Sequence, residues 1–323
     1  MLIHIPNSAF LNNIECFLSK LNINDPDIIE VTFNEKWTAV HPLVLSMTTA
    51  ILLSGKLRNT SIINKCPAAR STPYLQRMGL FNNLSTIPQT HITEHESSGR
   101  FIPLTQLKNS NDLTKFITDI VPLLHASPTQ VRPIQYVISE LVRNVIEHAQ
   151  SPIGAIVCAQ YFKKSGRISI GVADAGIGIR QSMFYFYPTS NDLEAIRLAL
   201  RPGITGTTSK YGGTEENGGA GLFFTKSIAK VGRNHFVIIS GNALYKLRHD
   251  PLLQETVFLY ADPFQDIHTK SSDIPIWQGT AVGIDINIDS HQNFEELLKL
   301  IQKAYRLNVN DVIKRKYKKA RFI

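Results

Sequence analysis

Apolar and polar positions follow two different periods along this chain, and the switches between them mark out its elements. Ile28–Phe33 alternates β-branched and polar residues and predicts a strand, as does the short run Ser61–Ile63. His41–Leu53 is apolar at helical spacing and opens at Pro42, a residue that suits a first helical turn. Pro73–Phe81 predicts a second helix. Together these make a small α/β unit over residues 1–90. The stretch Ser85–Gly99 is rich in Ser, Thr, His and Glu and loses all periodicity, so a linker is expected around residues 91–100.

The pattern resumes at Phe101–Leu107, followed by helices near Asp112–Leu124 and Ile134–Ala149. Ala155–Phe162 and Arg167–Ala173 are dense in Ile, Val, Tyr and Phe and read as strands. A polar, glycine-rich segment covers roughly 180–219. Leu222–Val231 then predicts a helix, and His235–Ser240, Thr256–Tyr260 and Thr280–Ile288 predict strands. Residues 101–289 thus form a second unit, and 290–323 supply one amphipathic helix with a basic tail.

Composition narrows the class. The chain has 323 residues, enough for two domains, and its 43% hydrophobic share is that of ordinary globular protein. The apolar run Leu43–Leu53 is too short to span a bilayer and is interrupted by Ser46, Thr48 and Thr49. Met1 begins no charged-then-apolar leader, and Cys16, Cys66 and Cys158 are sparse and far apart. A cytoplasmic protein without a membrane partner is the expectation. The net charge of +8 raises nucleic acid as a partner, but Lys314, Arg315, Lys316, Lys318, Lys319 and Arg321 crowd one helix end. A solvated helix end is the preferred reading of that tail.

Three short motifs carry chemistry. On the helix from Ile134, the residues Glu140, Asn144 and His148 recur every four positions beside an apolar face, and so form one stripe. An Asn amide oxygen can serve Mg²⁺, and a carboxylate one turn earlier can take a proton from a nucleophile attacking phosphate. The wet face of any helix gives the same stripe. Next, Asp174, Gly176 and Gly178 follow directly on the second strand, where a carboxylate can accept from an exocyclic amine while the glycines turn the chain. An ordinary strand-to-loop turn has the same composition. Last, Gly218-Gly219-Ala220-Gly221-Leu222 opens a helix, where backbone N–H groups can hold an anion. No GxxxxGK[ST] string occurs, which excludes a P-loop.

Glu140-x-x-x-Asn144, Asp174-x-Gly176-x-Gly178, Gly219-x-Gly221-Leu222 and Gly279-Thr280, in that order, resemble the Bergerat fold of the GHKL ATPase superfamily. Gyrase, histidine kinases, MutL-type repair proteins and anti-sigma-factor serine kinases belong to it. The resemblance covers roughly residues 100–290. It implies ATP and Mg²⁺ as cofactors, with Glu140 as general base, Asn144 as the metal ligand and Asp174 as the adenine acceptor supported by Thr280. Gly176 and Gly178 would shape the base site; Gly219, Gly221 and the amide of Leu222 would line the phosphates. The segment Ile179–Gly218 would be a mobile lid.

The ending Asn144-x-x-Glu147-His148-Ala149 is closest to the anti-sigma-kinase branch. His148 either contacts phosphate, steadies Asn144 or has a purely structural bond. His125 lacks the helical context of a phosphoacceptor. The N-terminal unit, through Trp37–Pro42 and Tyr74–Phe81, resembles STAS-like modules, though His41 and Pro42 stand where a phosphorylatable Ser or Thr would start the helix and Ser46 lies further in. A docking or dimerising role is preferred for it over autophosphorylation. The fold expected is therefore α/β: a STAS-like module, then a Bergerat α/β sandwich whose mixed sheet is covered by helices on one face. The function expected is Mg·ATP binding with slow hydrolysis or phosphoryl transfer to Ser/Thr of a protein partner, a STAS-type or sigma-factor-like regulator. The alternatives are a nucleotide-sensing scaffold that binds ATP without turnover, and a nucleic-acid-associated factor acting through the tail.

Overall fold

The structure, a computed structural model, describes residues 1–22, 27–67, 69–88, 101–120, 127–206, 208, 220–248, 257–287 and 294–317. The linker at 91–100, His125 and the last six residues of the basic tail lie outside them.

The first segment contains β1 (Leu2–Ile5), β2 (Ser8–Ala9), α1 (Glu15–Leu18), β3 (Ile28–Phe33), β4 (Ala39–Val40), α2 (Pro42–Leu57), β5 (Ser61–Asn64) and α3 (Thr72–Arg77). Strands β1, β3 and β5 form a parallel sheet in that order, and β2 pairs with β4. His41 caps α2: its Nδ1 accepts the Leu43 N–H at 3.0 Å, and Pro42 takes the first helical position. The helix predicted to Phe81 stops instead at Arg77, because Gly79 turns left-handed (φ 82°) and restarts the chain as a 3₁₀ turn over Leu80–Asn83.

The second segment supplies β6 (Phe101–Leu107), α4 (Ser110–Lys115), α5 (Pro128–Asn144), β7 (Ala155–Phe162), β8 (Arg167–Ala173), α6 (Gly178–Met183), α7 (Asp192–Ala199), α8 (Gly221–Val231), β9 (Phe236–Gly241), β10 (Ala243–Leu247), β11 (His268–Ser271), β12 (Trp277–Asn287) and α9 (Phe294–Tyr317). Its sheet has the order β11-β10-β9-β12-β8-β7-β6. Helix α5 begins earlier than the apolar pattern indicated, because Ser127 and Gln130 form a reciprocal capping box. Past Asn144 it loosens into a π-helical turn, Val145–Ala149, of the kind common at functional sites.

Two expectations about the sheet are corrected. It is antiparallel throughout rather than mixed, since every neighbouring pair runs in opposite directions. Strands β8 and β9, joined through the helices α6–α8, do run the same way, but β12 inserts between them and pairs with both. Nor is the sheet covered on one face alone. Ile168, Ile170 and Val172 of β8, with Val282, Ile284 and Ile286 of β12, join the core beneath α5 and α8. The alternate positions Ala173, Ala281, Cys158 and Val237 join a second core with α2 and the rest of the N-terminal segment. Burial on both faces explains the near-continuous apolar strands.

Small residues let α2 lie directly on the sheet. A Cβ on Gly171 would stand 2.2 Å from the Leu43 nitrogen, and Ser46 Oγ donates to the Gly171 carbonyl at 3.0 Å. Pro42 to Ala50 are buried all round, as expected for a helix inside a core.

Two further predictions need revision. Val257–Tyr260 is not a strand, and Thr256 lies outside the described residues; β10, returning tightly from β9 at Gly241–Asn242, takes the place beside β9. The first half of the proposed lid is packed structure. Helix α7 buries Ala195 and Ile196 in the main core, with Leu200 just beyond its end, a helical spacing masked by the polar residues around it. Gly203 and Gly206 belong to the described part, whereas Gly212 and Gly213 lie outside the described residues. Among the described residues, no helix is long and apolar enough to cross a membrane.

Candidate functional site

A cavity of about 320 Å³ opens between α5, the ends of β8 and β12, α6 and the start of α8. Glu140, Asn144, His148, Asp174, Gly178, Gly221, Leu222 and Thr280 all line it. The sequence places these residues up to 140 positions apart; the antiparallel pairing of β8 with β12 and the packing of α5 beside α8 bring them together. Gly219 lies outside the described residues. Gly176 is not a wall of the cavity but supports it: a Cβ there would meet the Ala149 carbonyl oxygen at 2.0 Å, which keeps the loop after β8 tight against the π turn. The Ile177 N–H donates to that same carbonyl at 2.8 Å.

Asp174 lies at the floor and is 1% exposed. Its Oδ1 accepts the Gly176 N–H at 2.7 Å and its Oδ2 accepts the Thr280 N–H at 3.2 Å. Burial pushes its pKa up to about 7, with those two N–H donors pulling the other way. The carboxylate therefore changes charge near neutrality, in contact with a cavity. Its oxygens retain acceptor capacity beyond the two backbone donors.

Glu140 and Asn144 stand one turn apart on α5 and face the first turn of α8. A Cβ on Gly221 would fall 2.3 Å from Glu140 Oε2 and 3.7 Å from Asn144 Nδ2, so any other residue there would force the carboxylate to shift. Burial raises the Glu140 pKa; Arg143 opposes this and Glu147 adds to it. Asn144 Nδ2 is buried without a protein partner among the described residues. Helix α8 begins without a side-chain cap and with no acidic residue in its first turn, and Ala220, Gly221 and Leu222 line the cavity, which places the positive end of its dipole at the cavity wall. His148 sits on the wall, 3.9 Å from Glu147 Oε2.

Four contributors have no motif to announce them. Ser240, at the end of β9, accepts the Ile179 N–H at 3.0 Å, donates to the Gly279 carbonyl at 2.9 Å and stands 3.4 Å from Thr280 Oγ1. Gln278 donates to the Gly176 carbonyl at 2.5 Å. Tyr136 and Arg143, on α5, line the cavity beside Glu140. Only the strand register, Thr280 opposite Ser240, identifies the first of these. Tyr136 could be found from the sequence as the residue one helical turn before Glu140.

In the N-terminal segment, the residues singled out at the start of α2 are buried in packing contacts. His41 is fully buried and its Nε2 stands 3.4 Å from Asp285 Oδ1, while Ser169 donates to the same oxygen at 2.5 Å. Ser46 is equally buried against Gly171. Among the described residues, no group of three or more His, Cys, Asp and Glu side chains could hold a metal ion. The chain matches no protein-family model, and no curated protein matches it significantly.

Proposed function

We propose that this chain binds Mg·ATP in the cavity between α5 and α8 and passes the γ-phosphoryl group to water or to a Ser/Thr hydroxyl of a protein partner. One observation carries the reading: a single cavity is lined by a buried carboxylate at a strand end, a Glu/Asn pair one helical turn apart, and an uncapped helix N-terminus. In this reading Asp174 accepts the adenine amine, and Ser240 and Gln278 fix the loop that carries the base. The first-turn N–H groups of α8 take phosphate oxygens. Glu140, made more basic by burial, takes the proton from the attacking hydroxyl.

The donors suit Mg²⁺. Asn144 would offer its amide oxygen to the metal, and its Nδ2 is buried without a protein partner among the described residues and so is open to a phosphate or water oxygen. Mg²⁺ is commonly held by one or two side-chain oxygens plus phosphates and water, so the lack of a larger ligand cluster among the described residues is compatible with it. When bound, Mg²⁺ supplies charge neutralisation on the phosphate oxygens. The GHKL resemblance and the STAS-like reading of the N-terminal segment belong to this proposal, in which that segment is a docking or dimerising module. The burial of His41 and Ser46 argues against phosphorylation at the start of α2.

The test uses γ-labelled ATP and isothermal titration. Wild type should bind Mg·ATP and release label to water or partner, while Asn144→Ala should bind without Mg²⁺ dependence. Binding with no label released, alone or with partners, assigns the chain to a nucleotide-sensing scaffold. Absence of binding would reject both.

A further inference from the structure

The outer face of α9 has no role in the cavity. Residues 294–323 hold nine Lys or Arg against three Asp or Glu, and so account for six of the eight net positive charges of the chain. Within the described part, Lys299, Lys303, Arg306 and Lys314 are exposed along α9. At 1.5 Å per residue they form a row about 22 Å long. Lys299, Gln302, Lys303, Arg306, Leu307 and Asn310 line a shallow groove of about 310 Å³. Among the described residues none of the four cations pairs with a carboxylate, whereas Glu295 in the first turn is held by Arg132.

We infer that this face of α9 binds the phosphate backbone of duplex nucleic acid without sequence preference. Charge complementarity selects the occupant: a row of flexible cations and neutral amides matches a line of phosphates. A membrane-surface helix must offer its apolar face to lipid. Here that face is spent, because Phe294 and Ile301 join the main core, Val309 is buried as well, and Phe294 packs on Tyr136 of α5. Among the described side chains of the helix, Leu300 and Leu307 are the large apolar ones left exposed. The face is therefore suited to an aqueous polyanion rather than to insertion.

Fluorescence anisotropy with a labelled 24-base-pair duplex of random sequence tests this, using the full chain from 50 to 200 mM NaCl. Wild type should bind with an affinity that falls steeply with salt. Lys299→Ala/Lys303→Ala/Arg306→Ala should bind at least tenfold more weakly at 50 mM and reduce the log–log salt slope by about 2–3. Circular dichroism and the melting temperature of the triple variant should match wild type, since the three residues are exposed. Three results would overturn the inference. They are no duplex binding by wild type, unchanged affinity and slope in the folded triple variant, or binding to phosphatidylserine vesicles without binding to duplex.

Discussion

Asp174→Asn removes a charge while keeping the shape of a buried side chain, so its effects on stability and on ligand binding should separate. The carboxylate titrates near 7 in the folded chain against about 3.9 when unfolded, which makes its ionised form costly by about 4 kcal/mol. That stabilising difference is fully present below about pH 4 in wild type and is lost as pH rises to about 7, because the unfolded chain releases the proton first. The Asn variant escapes this loss. It also sets an NH₂ group against one of the two N–H donors of Gly176 and Thr280, at about 1–3 kcal/mol. At pH 8 the ligand-free variant should therefore exceed wild type by about 1–3 kcal/mol in urea unfolding, with the order reversed at pH 4. Nucleotide affinity should move the other way. Loss of a charged acceptor should weaken Mg·ATP about 10- to 100-fold at pH 8. The wild-type advantage should shrink toward pH 6 as Asp174 protonates. Taking the ratio of the two proteins at each pH cancels the titration of the nucleotide itself. Equal affinities from pH 6 to 8, together with parallel stability curves, would refute the burial argument and the base-site assignment at once.

Glu140→Gln keeps the side chain beside Gly221 but cannot take a proton, so label release from γ-labelled ATP should fall at least 100-fold with binding retained. Gly221→Ala pushes a methyl group toward the end of a flexible carboxylate, so the melting temperature should change little while turnover drops by an order of magnitude or more. Gly171→Ala instead meets the backbone at Leu43, which cannot give way, and should cost about 1–3 kcal/mol or more by denaturant titration.

How far the sequence revealed this arrangement depended on whether a feature was local. Strands β7 and β8 were legible to the residue because apolar, β-branched runs bounded by Gly and Ser leave little choice of period. The stripe Glu140–Asn144–His148 and the run Asp174–Gly178 were legible because helix period and strand-end turn chemistry are short-range. Ser240 was hidden, since its hydroxyl matters only through register with Thr280, a pairing across 40 residues. The helix α7 was hidden in a glycine- and threonine-bearing segment whose few apolar positions gain meaning only against the core. The polarity of the sheet was also non-local: nothing near β8 or β9 announces that β12 will come between them.

The same non-local packing gives the N-terminal segment a part in the site. Asp174 follows directly on β8, and three residues earlier Gly171 is held by Ser46 and overlain by Leu43. On β12, Thr280 donates to Asp174 from one end, while Asp285 further along is gripped by Ser169 and His41. Each strand that delivers a cavity residue is thus fixed to α2 on its opposite face. Asp285 keeps its pKa below the usual carboxylate range despite burial, because His41, Ser169 and Arg167 stabilise its charge. Its contribution to stability is present above about pH 4 and lost as pH falls below it, the reverse of Asp174. The two carboxylates therefore divide the two faces of the sheet: Asp285 is stabilised as an anion by its protein partners, whereas Asp174 reaches that state only against the cost of burial. A donor entering the cavity from outside would relieve that cost, and this makes Asp174 rather than Asp285 the carboxylate available to a ligand.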